Sequence, residues 1–284
     1  MLKSLFREIG TSFRQSKAEA PAVDAASIDT DEWQARFRAD DAHGRRVRAD
    51  ELQDRLQQSA QDERGWTLLG DWRLSLDQLA AAEEAFRRAL RLKPAHARAQ
   101  EGLGLALLKL GRLEEAHRHL ELAHRASPED ADILTHWGLV SYEMGNLPGA
   151  AEKFQSAIER APRNPHPWHN LALVALKQGA VEQSIAMLRK AIELKPDHGL
   201  AYSNLALALR RADRLEEALE AAELGVRHKP GNARVWVVLS DMQLNQGDFA
   251  RSGESLAQAH QIDPRHVGLH VARGKLEMAK GRVE

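Results

Sequence analysis

Six prolines, Pro94, Pro128, Pro162, Pro196, Pro230 and Pro264, stand 34 residues apart. An interval held over most of a chain dictates a modular fold, because each module must end where its predecessor did. Proline lacks the backbone donor and clashes with the preceding turn, so a helix stops ahead of each one. Five residues before each proline lies a small residue: Ala89, Ala123, Ala157, Ala191, Gly225, Ala259. Three residues earlier come Phe86, Leu120, Phe154, Leu188, Ala222 and Leu256, and four earlier still Ala82, Ala116, Ala150, Ser184, Ala218 and Ser252. Steps of three and four trace one face of a helix.

A second helix fits upstream in each interval. Leu69, Leu103, Trp137, Leu171, Leu205 and Leu239 are followed by Gly70, Gly104, Gly138, Ala172, Ala206 and Ser240. Trp66, Trp168, Tyr202 and Trp236 add an aromatic column. Between the two halves one position reads Asp77, Gly111, Gly145, Gly179, Asp213, Gly247 and Gly281. That composition predicts a left-handed residue closing the first helix. Each unit is therefore helix, turn, helix. Small columns let the axes approach and large neighbours fill the space around them. One pair cannot bury its own apolar face, so the units must stack.

The columns resemble the tetratricopeptide repeat, most closely at Trp66, Leu69, Gly70, Ala82, Phe86, Ala89 and Pro94. The resemblance implies an all-α fold, a right-handed α-solenoid (superhelix) with first helices lining its concave face. It divides the chain into six repeats, 63–96, 97–130, 131–164, 165–198, 199–232 and 233–266. Residues 267–284 form a partial seventh that caps the end. Ala222 and Gly225 are expected to thin the core of the fifth unit. Ahead of the repeats, 47–62 reads as a capping helix through Leu52 and Leu56. Residues 18–46 read as a flexible lead-in, where Trp33 and Phe37 lie one turn apart and can pin a short helix to the body.

Residues 1–17 form an amphipathic pattern. Leu2, Leu5, Phe6, Ile9 and Phe13 share a face, ringed by Lys3, Arg7, Arg14 and Lys17. Such a segment suits docking on a partner, docking in the chain's own groove, or a membrane surface. The net charge is −1, so no global field recruits nucleic acid. Arg87, Arg88 and Arg91 line one helix, but no aromatic platform accompanies them. Cysteine is absent, which removes disulfides, thiolate metal sites and cysteine nucleophiles. No apolar run reaches membrane-spanning length. The expected setting is cytoplasmic, with possible peripheral membrane attachment through 1–17.

The concave face implied by the resemblance defines the candidate site. Leu105, Leu139, Leu173 and Leu207 form one column and make an apolar floor. Asn170 and Asn204 each carry an acceptor and two donors suited to a peptide backbone. His136, Tyr142, His169 and Arg210 stand beside them to orient a bound segment. The expected partner is a helical or extended protein segment. The lysine and asparagine clamp that some family members use on chaperone tails is missing: Thr67, Asp71, Arg98, Gly102 and Asp132 occupy those places. His166 and His169 lie three apart but lack a third ligand, so no metal or other cofactor is expected. The paired acids Glu114–Glu115 and Glu216–Glu217 start helices, where they favour the positive dipole end. No catalytic constellation appears. The unfinished seventh unit leaves an end that can self-assemble head to tail.

Overall fold

A computed structural model describes residues 30–39, 41–58 and 61–281. The amphipathic segment 1–17 and its docking face lie outside the described residues. Fifteen α-helices run through the described chain. The first two are α1 (Thr30–Ala39) and α2 (Ala42–Gln58). Then come α3 (Glu63–Ser75), α4 (Leu79–Leu92), α5 (Ala97–Lys109), α6 (Leu113–Ala126) and α7 (Ala131–Glu143). A second compact unit starts at Leu147. It holds α8 (Leu147–Arg160), α9 (Pro165–Lys177), α10 (Val181–Leu194), α11 (Gly199–Arg211), α12 (Leu215–His228), α13 (Ala233–Asn245), α14 (Phe249–Ile262) and α15 (Val267–Lys280). The fold class is all-α, a solenoid of helix–turn–helix repeats. No described helix is long and apolar enough to cross a membrane.

Local chemistry sets the boundaries. Asp77, Gly111, Gly145, Gly179, Asp213 and Gly247 all adopt positive φ, between 59° and 85°. At each, the next amide donates to a carbonyl five residues back, as in Arg112 N to Leu107 O at 2.9 Å. This is the six-to-one closure of a helix C-terminus. Gly281 departs from the expected column: its φ is −69°, and it ends α15 without the left-handed turn. First helices begin on another column with the 34-residue interval. Asp62, His96, Asp130, Asn164 and Asn232 each accept an amide from the first turn. His198 and His266 hold the same place but make no such bond.

In the first unit the core is built round Phe86. An added Cβ on Gly70 would stand 2.5 Å from its ring, and one on Gly102 2.3 Å. The two glycines thus make room for a wedge between successive first helices. Leu120 fills the same notch at Gly104, 2.7 Å from the Cβ position. The region before the repeats is more helical than a flexible lead-in. Helix α1 holds Trp33 5% exposed, its ring 6.1 Å from Trp72. Gln34 accepts the Trp72 indole N–H at 2.7 Å. Helix α2 starts at Ala42 rather than 47 and buries Ala49, Leu52 and Leu56. Arg73 reaches back to Asp50 and Gln53 at 2.6 and 2.8 Å. These long-range contacts order a segment whose sequence carries no repeat.

In the second unit Ile185, Leu188, Leu205, Leu209, Val238 and Met242 share one core. Gly225 does not thin it. A Cβ there would meet Ser203 Oγ at 3.0 Å and the Gly199 carbonyl at 3.2 Å, so α11 and α12 use the glycine to approach backbone to backbone. The aromatic column has a polar task. Trp168 and Trp236 donate their indole N–H to the carbonyls of Pro162 and Pro230 at 3.1 and 2.8 Å. Gln100 does the same to Pro94 at 2.8 Å.

Candidate functional site

The first helices carry two polar networks, one in each unit, built on the same repeat positions. In the first unit Arg98, on α5, bonds Asp71 of α3 at 3.2 Å and Glu101 one turn on at 2.9 Å. His136 of α7 donates from Nδ1 to Glu101 at 2.7 Å. Glu101 is 3% exposed. Burial alone would raise its pKa. The Arg98 charge and the hydrogen bonds from His136 and Arg98 outweigh that and hold it at about 2. Asp71 goes the other way. Burial dominates over Arg98, and the like charge of Glu101 adds to it, so its carboxyl rises to about 6. Its Oδ1 is buried without a hydrogen-bond partner among the described residues.

In the second unit Arg234 of α13 donates to Asn204 Oδ1 at 2.8 Å. Arginine is only a donor, so this bond fixes the amide and turns its nitrogen toward His169 Nε2, 2.6 Å away. His169 must accept there and carry its proton on Nδ1, which points at His198 Nε2 at 3.1 Å. One guanidinium thereby sets a tautomer two residues along the chain of bonds. His198, fully buried, spends its side chain on this relay instead of capping α11. The bonds Glu101–His136 and His169–Asn204 both span 35 residues. They are the same inter-repeat staple, written once with a carboxylate and once with an amide.

The predicted site residues separate accordingly. Leu105 and Leu139 are 1% and 4% exposed and pack in the core, so they offer no surface to a partner. His136, His169 and Asn204 belong to the staples. Arg210 pairs with Asp241 at 2.8 Å, and Asp241 also takes Lys275 at 2.9 Å. Leu173, Leu207 and Tyr142 stay half-buried. Asn170 is 7% exposed, yet its amide forms no hydrogen bond to another described residue. Column reading gave Arg98 and Glu101 no binding role and missed His198 and Arg234. The 35-residue offset and the helix-start column were the signals that contained them.

No group of three or more His, Asp or Glu able to hold a metal ion occurs among the described residues. His117 and His124 instead flank the Trp137 ring at 5.4 and 5.6 Å. His119 bonds Gln100 at 2.6 Å, and burial with the nearby Arg87 charge pushes its pKa down.

Known proteins with this architecture are numerous among solved structures. The APC/C hetero-tetramer Cut9-Hcn1 aligns with a TM-score of 0.74 and 17% identity over 88% of this chain. The chain spans 48% of that protein's length. PilF of Pseudomonas aeruginosa aligns at 0.62 and 18% over 80% of this chain and 99% of its own. A tetratricopeptide repeat protein of Parabacteroides merdae aligns at 0.69 and 16% over 88% of this chain and 98% of its own. At such identities the likeness is one of fold. No curated protein matches by sequence. The family model for the cytochrome c-type biogenesis protein H TPR domain matches residues 49–165. A general tetratricopeptide repeat model matches 135–198 and 169–233. With these matches laid over the 34-residue helix pairs, the chain belongs to the tetratricopeptide-repeat family.

Proposed function

We propose that this chain is a non-enzymatic scaffold that binds a helical or extended protein segment along its first helices. The observation that carries the reading is Asn170. Its residue is 7% exposed, but its amide is not among the buried side-chain groups left without a partner, so the amide faces solvent and is open to a bound backbone. Leu173 lies one turn on, and Leu207 holds the same column in the next repeat; both keep apolar surface open. Asn204 has both ends of its amide engaged, so the clasp narrows to Asn170. The test is the double variant Leu173→Asp with Leu207→Asp, compared with wild type by affinity capture from the native cell and mass spectrometry. Loss of specific partners with unchanged helicity supports the groove. An unchanged partner list removes it. Leu139→Asp is unsuitable, since it would bury a carboxylate and unfold the core.

A membrane-peripheral assembly factor, attached through residues 1–17, is the second reading. The match of 49–165 to a cytochrome c-type biogenesis TPR domain favours it, since that domain's name points to assembly work. Flotation with anionic vesicles, comparing the full chain with one starting at Ala18, separates the two. Equal flotation of both ends this reading.

A further inference from the structure

In the second unit, charge sorts by the half of the repeat that a helix occupies. The first helices α9, α11 and α13 carry four cations, Lys177, Arg210, Arg211 and Arg234, against one acid, Asp241. Their second-helix partners α10, α12 and α14 carry four cations against seven acids. The first unit shows no such sorting, since α3, α5 and α7 carry four cations against five acids. Each of α9, α11 and α13 packs against the first helix that follows it. The surface they leave open is therefore one that stacking itself leaves open.

These cations stand on both sides of the half-buried leucines. Arg210 and Arg211 follow Leu207 by one turn of α11, at the steps of three and four that share a helix face. Arg211 is exposed and donates to the Leu176 carbonyl of α9 at 2.9 Å, a neutral group. Arg210 turns the other way, to Asp241 of α13 at 2.8 Å, but that carboxylate also takes Lys275 at 2.9 Å. One acid thus serves two cations. At the opposite ends of the helices Arg234 opens α13 and donates to the neutral amide of Asn204. Leu173 and Leu207 lie between these basic margins. Charges of one sign beside an apolar floor draw in the opposite sign from a distance and oppose their own.

We propose that the segment held along α9, α11 and α13 is acidic, with an aliphatic stripe over Leu173 and Leu207 flanked on both sides by Asp or Glu. This rests on the scaffold reading and adds the chemistry of the partner. It also disfavours one occupant, the chain's own residues 1–17, whose Lys3, Arg7, Arg14 and Lys17 stand against the single acid Glu8.

The test is a selection of displayed random peptides on the full chain, followed by fluorescence anisotropy with the enriched sequences made as synthetic peptides. Enriched peptides should combine aliphatic residues with a surplus of Asp and Glu, and added salt should weaken them. Arg210→Gln with Arg211→Gln should weaken them about tenfold and remove the acidic surplus when the selection is repeated. Circular dichroism of that variant should match wild type, since both side chains reach solvent. Arg189→Gln with Arg251→Gln removes the same charge from exposed sites on α10 and α14 and should leave binding unchanged. Neutral or basic enriched peptides that Leu173→Asp with Leu207→Asp releases overturn the acidic partner and leave the scaffold standing. Acidic peptides indifferent to the arginine pair also overturn it. Peptides indifferent to the leucine pair remove the scaffold reading and this proposal together, as does a selection that enriches nothing.

Discussion

Single side chains in this molecule are tuned by their neighbours on adjacent repeats. Asp71 and Glu101 both touch Arg98, yet they move in opposite directions. Glu101 collects donors on both oxygens, whereas Asp71 leaves one buried oxygen without a partner. The consequences for stability have opposite signs. An acid whose pKa is raised on folding opposes the fold once both states ionise. For Asp71 that opposition is absent below 3.8, grows up to about 6, and is complete above it. Replacing it with a neutral isostere should therefore help most at high pH. We expect Asp71→Asn to raise the melting temperature at about pH 8 and to raise it less at about pH 4.5. Glu101 contributes stability that is present above 4.5 and is lost as pH falls toward 2. These assignments were only half legible. The columns brought out His136, His169 and Asn204 as first-helix residues. Their partners lie 35 positions away, one off the repeat, and reading each column separately conceals a diagonal contact.

Elements were the most legible level, because proline and left-handed turn residues act locally. Every turn from Asp77 to Gly247 adopts the backbone its column predicts. The one-turn spacing of Trp33 and Phe37 pointed to a short pinned helix, and Trp33 is buried against Trp72. What escaped was the early start of α2 and the long-range bonds of Gln34 and Arg73, which no local pattern announces. Gly225 was misjudged for a related reason. A glycine facing Leu or Phe removes bulk, but one facing Gly199 and Ser203 permits backbone contact, and only the partner distinguishes them. The glycines sort the same way in a forecast. Gly102→Ala drives a methyl to 2.3 Å from the Phe86 ring and should cost about 1–3 kcal/mol. Gly253→Ala, in mid-helix with its nearest neighbour at 3.8 Å, should gain about 0.5–1 kcal/mol. Urea denaturation of the two variants reads both; equal signs would mean that packing around Phe86 yields easily.

At the scale of the molecule, stabilising contacts run between successive helices, so a repeat feels its neighbours and little else. Damage should stay local. Trp33→Ala removes the ring that packs on Trp72 and should loosen α1 to α3. Hydrogen exchange read by mass spectrometry should then show protection lost there and unchanged in α11 to α14. Loss spread evenly along the chain would mean one cooperative block instead. The wide spacing of the tryptophans bears on how such local events can be followed. Because the indoles of Trp168 and Trp236 tether the turns at Pro162 and Pro230, breaking either joint changes the polarity around one fluorophore. Variants keeping a single tryptophan would turn the emission wavelength into an address, reporting in real time which joint along the array has opened.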